Sequence, residues 1–121
     1  MKIPSFHDGF FDGFWLDSNK SLQIFLRTAD KVPHTLVLDG VQALILSGVK
    51  AGNIIFDLVF RAAQETTASD MAELYEVGIE TAQAENLLQA ARDKGLQILE
   101  LNPSYGAQGL ILFESCRIEE G

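Results

Sequence analysis

Residues 53–75, NIIFDLVFRAAQETTASDMAELY, change hydrophobic period part-way along, and that change decides the fold class. Over residues 53–63 the apolar positions repeat every two residues. Ile54, Phe56, Leu58 and Phe60 fall on one face of an extended chain, and Ile55, Asp57, Val59 and Arg61 on the other. One face is apolar and the other still half apolar, which is the pattern of a central strand. From Thr66 the period becomes 3.6, with Met71, Leu74, Tyr75 and Gly78 at i, i+3, i+4 and i+7. Thr67-Ala68-Ser69-Asp70 supplies a capping box for the start of that helix. A second stripe, Ala84, Leu87, Leu88 and Ala91, lies roughly 140° around a straight helix from the first. Both stripes cannot face one surface, so a break is expected near residues 78–81, giving two helices over about 66–94. Gly95 is the expected left-handed stop.

Outward from this centre the strand period returns on both sides. Upstream, residues 10–16 and 21–27 flank the turn Asp17-Ser18-Asn19-Lys20, and a loop containing Pro33 leads to strands at 34–38 and 42–46 around the tight-turn dipeptide Asp39-Gly40. Downstream, strands are expected at 96–101 and 109–118, separated by the turn Asn102-Pro103-Ser104-Tyr105-Gly106. Hairpins dominate the connections. The expectation is therefore an α+β fold: a mainly antiparallel sheet of about seven strands, with two helices inserted before the last two, in a single domain covering 1–121.

Composition narrows the function classes. Nine Lys and Arg against seventeen Asp and Glu give a net charge of −8 and a pI near 4.5. Nucleic acid and anionic membrane surfaces are poor partners for such a chain, because both are held by clustered cations. The single cysteine, Cys116, excludes an internal disulfide and a cysteine-based zinc cluster. The first eight residues carry Asp8 and no secretory apolar core, and the apolar window 40–49 is about half the roughly 20 residues that span a bilayer. A cytoplasmic location is expected. Nucleophile-elbow, phosphate-loop and dinucleotide motifs are missing, so the sequence leans away from an enzyme without deciding the question, and no cofactor is expected.

Several residues carry chemistry worth locating. His7, Asp8 and Asp12 could hold a metal or pair as acid and base if they converge, but Asp-Gly steps also serve turns and bulges, and nothing fixes His34 nearby. Asp57 must be solvated, paired or perturbed, with Arg61 four residues on along the same face. Cys116 stands beside Arg117, yet neighbours in a strand face opposite sides, which favours a small packed residue. The 102–106 turn offers the Tyr105 hydroxyl, although its residues suit turn geometry for backbone reasons alone.

The least ordinary feature is charge distribution. No Lys or Arg falls between Arg61 and Arg92, while Glu65, Asp70, Glu73, Glu76, Glu80 and Glu85 all do. Asp70, Glu73, Glu76 and Glu80 follow spacings of three, three and four and would share a face if helical. Like charges so placed destabilise a helix by a few tenths of a kcal/mol per pair. Solubility accounts for such a stripe; so does a docking face for a basic protein partner, which it would attract electrostatically. The same sequence leaves two other functions open: a small-molecule or metal-binding domain built on the N-terminal His/Asp cluster, and a homo-oligomeric structural domain. The last rests on Phe10, Phe11, Phe14 and Trp15, more aromatic surface than one small strand shows to water.

Phe6-His7-Asp8-Gly9 leading into an aromatic strand, with Gly52-Asn53-Ile54-Ile55 later, resembles small uncharacterised bacterial proteins that open with a Phe-His-Asp-Gly or Phe-His-Asp-Ala segment. Some of these are similar to immunity proteins of toxin–antitoxin-like systems, which are often small, acidic and β-rich. The resemblance covers about the first half of the chain. It implies a bacterial cytosolic protein and speaks against a well-known enzyme; the acidic helical segment lies outside it, and it transfers no functional residue.

Overall fold

The computed structural model describes residues 2–121. It is an α+β fold with eight strands: β1 (Phe10–Leu16), β2 (Leu22–Arg27), β3 (Pro33–Asp39), β4 (Ala43–Ser47), β5 (Asn53–Arg61), β6 (Gln97–Tyr105), β7 (Gln108–Phe113) and β8 (Ser115–Glu120). Helices α1 (Ala68–Tyr75) and α2 (Ala82–Asp93) lie between β5 and β6, preceded by a 3-10 turn at Ala63–Glu65. The strands form one sheet in the order β4-β7-β6-β5-β1-β2-β3-β8, and every pairing is antiparallel.

Both ends of that order belong to the same two stretches of chain. β3 and β4 follow one another through residues 40–42, β7 and β8 through Glu114, and β3 pairs β8 while β4 pairs β7. The ladder continues across the join: the Glu114 N–H donates to the Asp39 carbonyl at 3.0 Å and the Gln42 N–H to the Leu112 carbonyl at 2.8 Å. The sheet therefore closes on itself, as a barrel with two long bent strands. Asp39-Gly40 is not a hairpin turn, which corrects the sequence reading; it is the bend of one of these strands, where Gly40 adopts φ 65°. The expected 109–118 strand is likewise one run bent at Glu114, and the strand count rises to eight, three of them after the helices. β6 also runs on to Tyr105, so the expected 102–106 turn shrinks to a reversal at Gly106.

Alternation then sorts the side chains. Phe11, Leu22, Ile24, Leu26, Leu36, Leu38, Ile55, Leu99, Leu101, Ile111 and Phe113 fill the interior. In β5 a register irregularity at Phe56 breaks the expected alternation. Ile55, Leu58 and Phe60 pack towards the core, and Phe56 is left 52% exposed. A bulge of this kind reverses the faces beyond it, which period-two counting cannot register. The segment around Ile3 and Phe6 packs against the barrel interior, with Phe6 edge-on to the His34 ring. On the outside, Met71 and Leu74 of α1 and Leu88 and Ala91 of α2 pack on Ile98, Leu110 and Leu112.

Asn53 ties several of these parts together. Its side-chain oxygen accepts the N–H groups of Lys50 (2.7 Å) and Ala107 (3.0 Å), and its amide donates to the carbonyls of Lys50 (2.7 Å) and Phe11 (3.3 Å). Gly106 stays glycine because its φ is 93° and an added Cβ would strike the Asn53 amide. Asn53→Ala strands the buried Ala107 N–H, so urea unfolding is expected to report a loss of about 2 kcal/mol. A loss near zero would mean that water replaces the amide.

Candidate functional site

The acidic segment divides into two parts that the sequence could not separate. Asp70 lies inside the structure. Its backbone N–H donates to the Thr67 hydroxyl at 3.2 Å, and its carboxylate accepts the Thr67 N–H at 2.7 Å, completing the capping box. Arg61 reaches the same carboxylate with both terminal nitrogens, each at 2.7 Å, and gives Nε to Glu100 at 2.7 Å. Burial pushes the Asp70 carboxyl up, but the Arg61 guanidinium and the two Thr67 donors outweigh it and hold the carboxyl below its ordinary range. The same pairing keeps Arg61 protonated at every accessible pH. Arg92, the other cation bounding the segment, donates to the Thr66 carbonyl at 2.8 Å.

Glu73, Glu76 and Glu80 are different: all three are exposed, and none forms an ion pair among the described residues. They do not share a helical face, as the spacing had suggested. α1 ends at Tyr75 because Glu76 takes the left-handed conformation, φ 56°, a position usually held by glycine or asparagine. Glu76 and Glu80 therefore sit on the connection between the helices, and Glu73 on the last turn of α1. The break opens at Glu76 and takes in the expected 78–81. Between these acids stand two apolar side chains, Tyr75 at 36% and Ile79 at 52% exposure. Burial against α2 raises the Tyr75 hydroxyl above its usual range, so it stays neutral at physiological pH. Sequence reading places Tyr75 on the buried stripe and gives Ile79 no role; Tyr75 lies at the rim of the α1–α2 packing, partly covered by α2, and Ile79 stands on the connection.

The N-terminal constellation does not converge. His7 Nδ1 donates to the Phe56 carbonyl at 2.7 Å, and Nε2 lies 3.5 Å from Asp8, with both side chains more than half exposed. Asp12 is instead gripped by Arg27 through Nε (2.6 Å) and a terminal nitrogen (2.9 Å). Arg27 also stacks 4.5 Å above the Phe10 ring. Among the described residues no three His, Cys, Asp or Glu side chains gather as a metal site would require. Gly9 has a backbone reason: a Cβ there would run into the Arg27 carbonyl.

The remaining candidates have local partners. Asp57 accepts the Asn102 amide at 2.8 Å, and Arg61 turns away from it to Asp70 and Glu100. Cys116 packs half-buried against the barrel core, and burial pushes its thiol up, away from nucleophilic character. Tyr105 is 53% exposed at the end of a strand. No helix among the described residues is long and apolar enough to cross a membrane. Comparisons of the chain with family models, with curated proteins and with solved structures found no match.

Proposed function

We propose that this chain is a small acidic protein-binding module, acting in the bacterial cytosol in an immunity-like role, which docks a basic protein partner on the connection between α1 and α2. One observation carries the reading. Glu73, Glu76 and Glu80 stand exposed and unpaired around Tyr75 and Ile79, while the cations bounding the segment are engaged elsewhere, Arg61 with two carboxylates and Arg92 with a backbone carbonyl. Unpaired acids of one sign accelerate encounter with a basic surface. Exposed tyrosine and isoleucine supply the apolar contact that holds a complex once formed. Asp70, part of the expected stripe, is buried and fixes the start of α1, at the other end of the helix from these acids.

The test is a tagged pull-down from lysate of the native organism, followed by titration of the purified captured protein. Wild type is expected to bind a basic protein with an affinity that falls as salt rises. A folded variant carrying Glu73→Lys, Glu76→Lys and Glu80→Lys is expected to bind at least about 100-fold more weakly, because each position turns from attraction to repulsion. Equal binding by the folded triple variant would end the proposal, and so would a captured partner with no basic surface.

A further inference from the structure

The barrel is not sealed along its whole length. β1 pairs with β5 only at Phe10 with Ile54 and Phe11 with Asn53, after which the chain preceding β5 turns away at Gly52, where φ is 83°. On its other side β1 stays paired with β2 through Leu16. The Asp17 N–H bonds the Ser21 carbonyl at 3.0 Å, which sets the alternation of this ladder. Asp17 with Ser21 and Trp15 with Gln23 are the hydrogen-bonded pairs, so the main-chain groups of Phe14 and Leu16 point away from β2. Among the described residues no strand or loop backbone meets them. The side chains along this edge are Phe14 at 45%, Trp15 at 59% and Leu16 at 45% exposure. Neither lysine nor proline, two of the devices that protect a free edge, interrupts the strip, although a bulge at Asp12 precedes it.

We propose that this edge docks a second copy of the same chain, β1 against β1, antiparallel about a twofold axis at Trp15. Three features of the strip fit that occupant. It is self-complementary: with Trp15 opposite Trp15, Phe14 of each copy faces Leu16 of the other, and the outward N–H and C=O groups of these residues form four hydrogen bonds. The tryptophans then meet as a non-hydrogen-bonded cross-strand pair, where side chains approach most closely. Finally, charge allows it. Two copies of a chain with net charge −8 repel over most of their surfaces, but this register places Asp17 opposite Gly13 and Asp12 opposite Ser18, and Asp12 is already neutralised by Arg27. No two carboxylates are paired across the axis.

The three exposed side chains offer about 300 Å² per copy, well under the roughly 800 Å² per partner of a standard stable interface. The dimer is therefore weak and reversible. Sedimentation of the full chain should show a concentration-dependent shift from 13.3 kDa towards twice that mass, with a dissociation constant between about 1 µM and 1 mM. Trp15 is the only tryptophan, so its emission should move to the red on dilution over the same range, a readout that needs no variant. Trp15→Lys, at a largely exposed position, should leave the circular dichroism spectrum unchanged and weaken the dimer at least about tenfold; Trp15→Phe should retain it. A wild-type chain that stays at 13.3 kDa up to about 1 mM would overturn the proposal. So would a dimer that Trp15→Lys leaves intact, because the contact would then lie elsewhere.

Discussion

Phe113→Ala is expected to lower stability by about 4 kcal/mol in urea unfolding, the largest single-residue effect in this chain. Phe113 is fully buried and meets Phe60 edge-on, with ring centroids 6.5 Å apart. It is also the last residue of β7, directly before the bend at which the two long strands join the ends of the sheet. Truncation removes a ring from an interior whose wall beside Phe113 is tied by main-chain hydrogen bonds from β6 across to β3, so collapse into the void is restricted and most of the cavity cost persists. Phe113→Leu, which keeps much of the volume, should cost about 1.5 kcal/mol. If alanine cost no more than leucine, the interior would have to relax freely, contrary to a barrel closed at Glu114.

The second large effect concerns Arg61. Replacing it with alanine leaves Asp70, whose side chain is 11% exposed, and Glu100, at 31%, facing one another without their shared cation. Removing one partner of a largely buried ion pair costs more than the pair contributes net, because the remaining charge stays desolvated. A loss of about 3 kcal/mol is expected at neutral pH, together with fraying of the start of α1.

The same network gives a pH signature. The folded Asp70 carboxyl is held below its ordinary value, so its contribution is fully present above about pH 4, the unfolded value. It is lost as the pH falls through the folded value. The stability gap between wild type and Asp70→Asn should therefore be constant from pH 7 to about pH 5 and shrink below about pH 4. A gap that persisted unchanged down to about pH 2 would show that Asp70 acts as a hydrogen-bonding cap alone, without its charge.

Much of this architecture was legible in the residues. The change of period at Thr66, the Thr67/Asp70 capping box and the Gly95 stop place the two helices to within a few residues, because each is a local signal whose physics is complete within one or two turns. β1, β2, β3 and β4 fall close to their expected bounds for the same reason. The acidic face was legible only in part. Its charges can be counted along the chain, but which of them reach solvent depends on Arg61, nine residues from Asp70 in sequence and adjacent to it in space. The capping box gave a hint, since it commits the Asp70 carboxylate to the start of its own helix. No local feature marked Glu76 as the left-handed residue that ends α1 and so leaves Ile79 on the connection.

Sequence by itself determined an acidic α+β chain, its antiparallel strands, the position of its helices and the absence of positive charge between Arg61 and Arg92, because periodicity, capping and composition are properties of neighbouring residues. Tertiary structure alone decided that β3–β4 and β7–β8 are two bent strands whose pairing closes the sheet, that Asp12 belongs to Arg27 and not to His7, and that the edge of β1 is left open beyond Phe11. Each of these depends on which distant backbone a strand meets and in what register. Hydrophobic alternation constrains that choice only to one face or the other; the pairing itself is fixed when the whole sheet packs around a single interior.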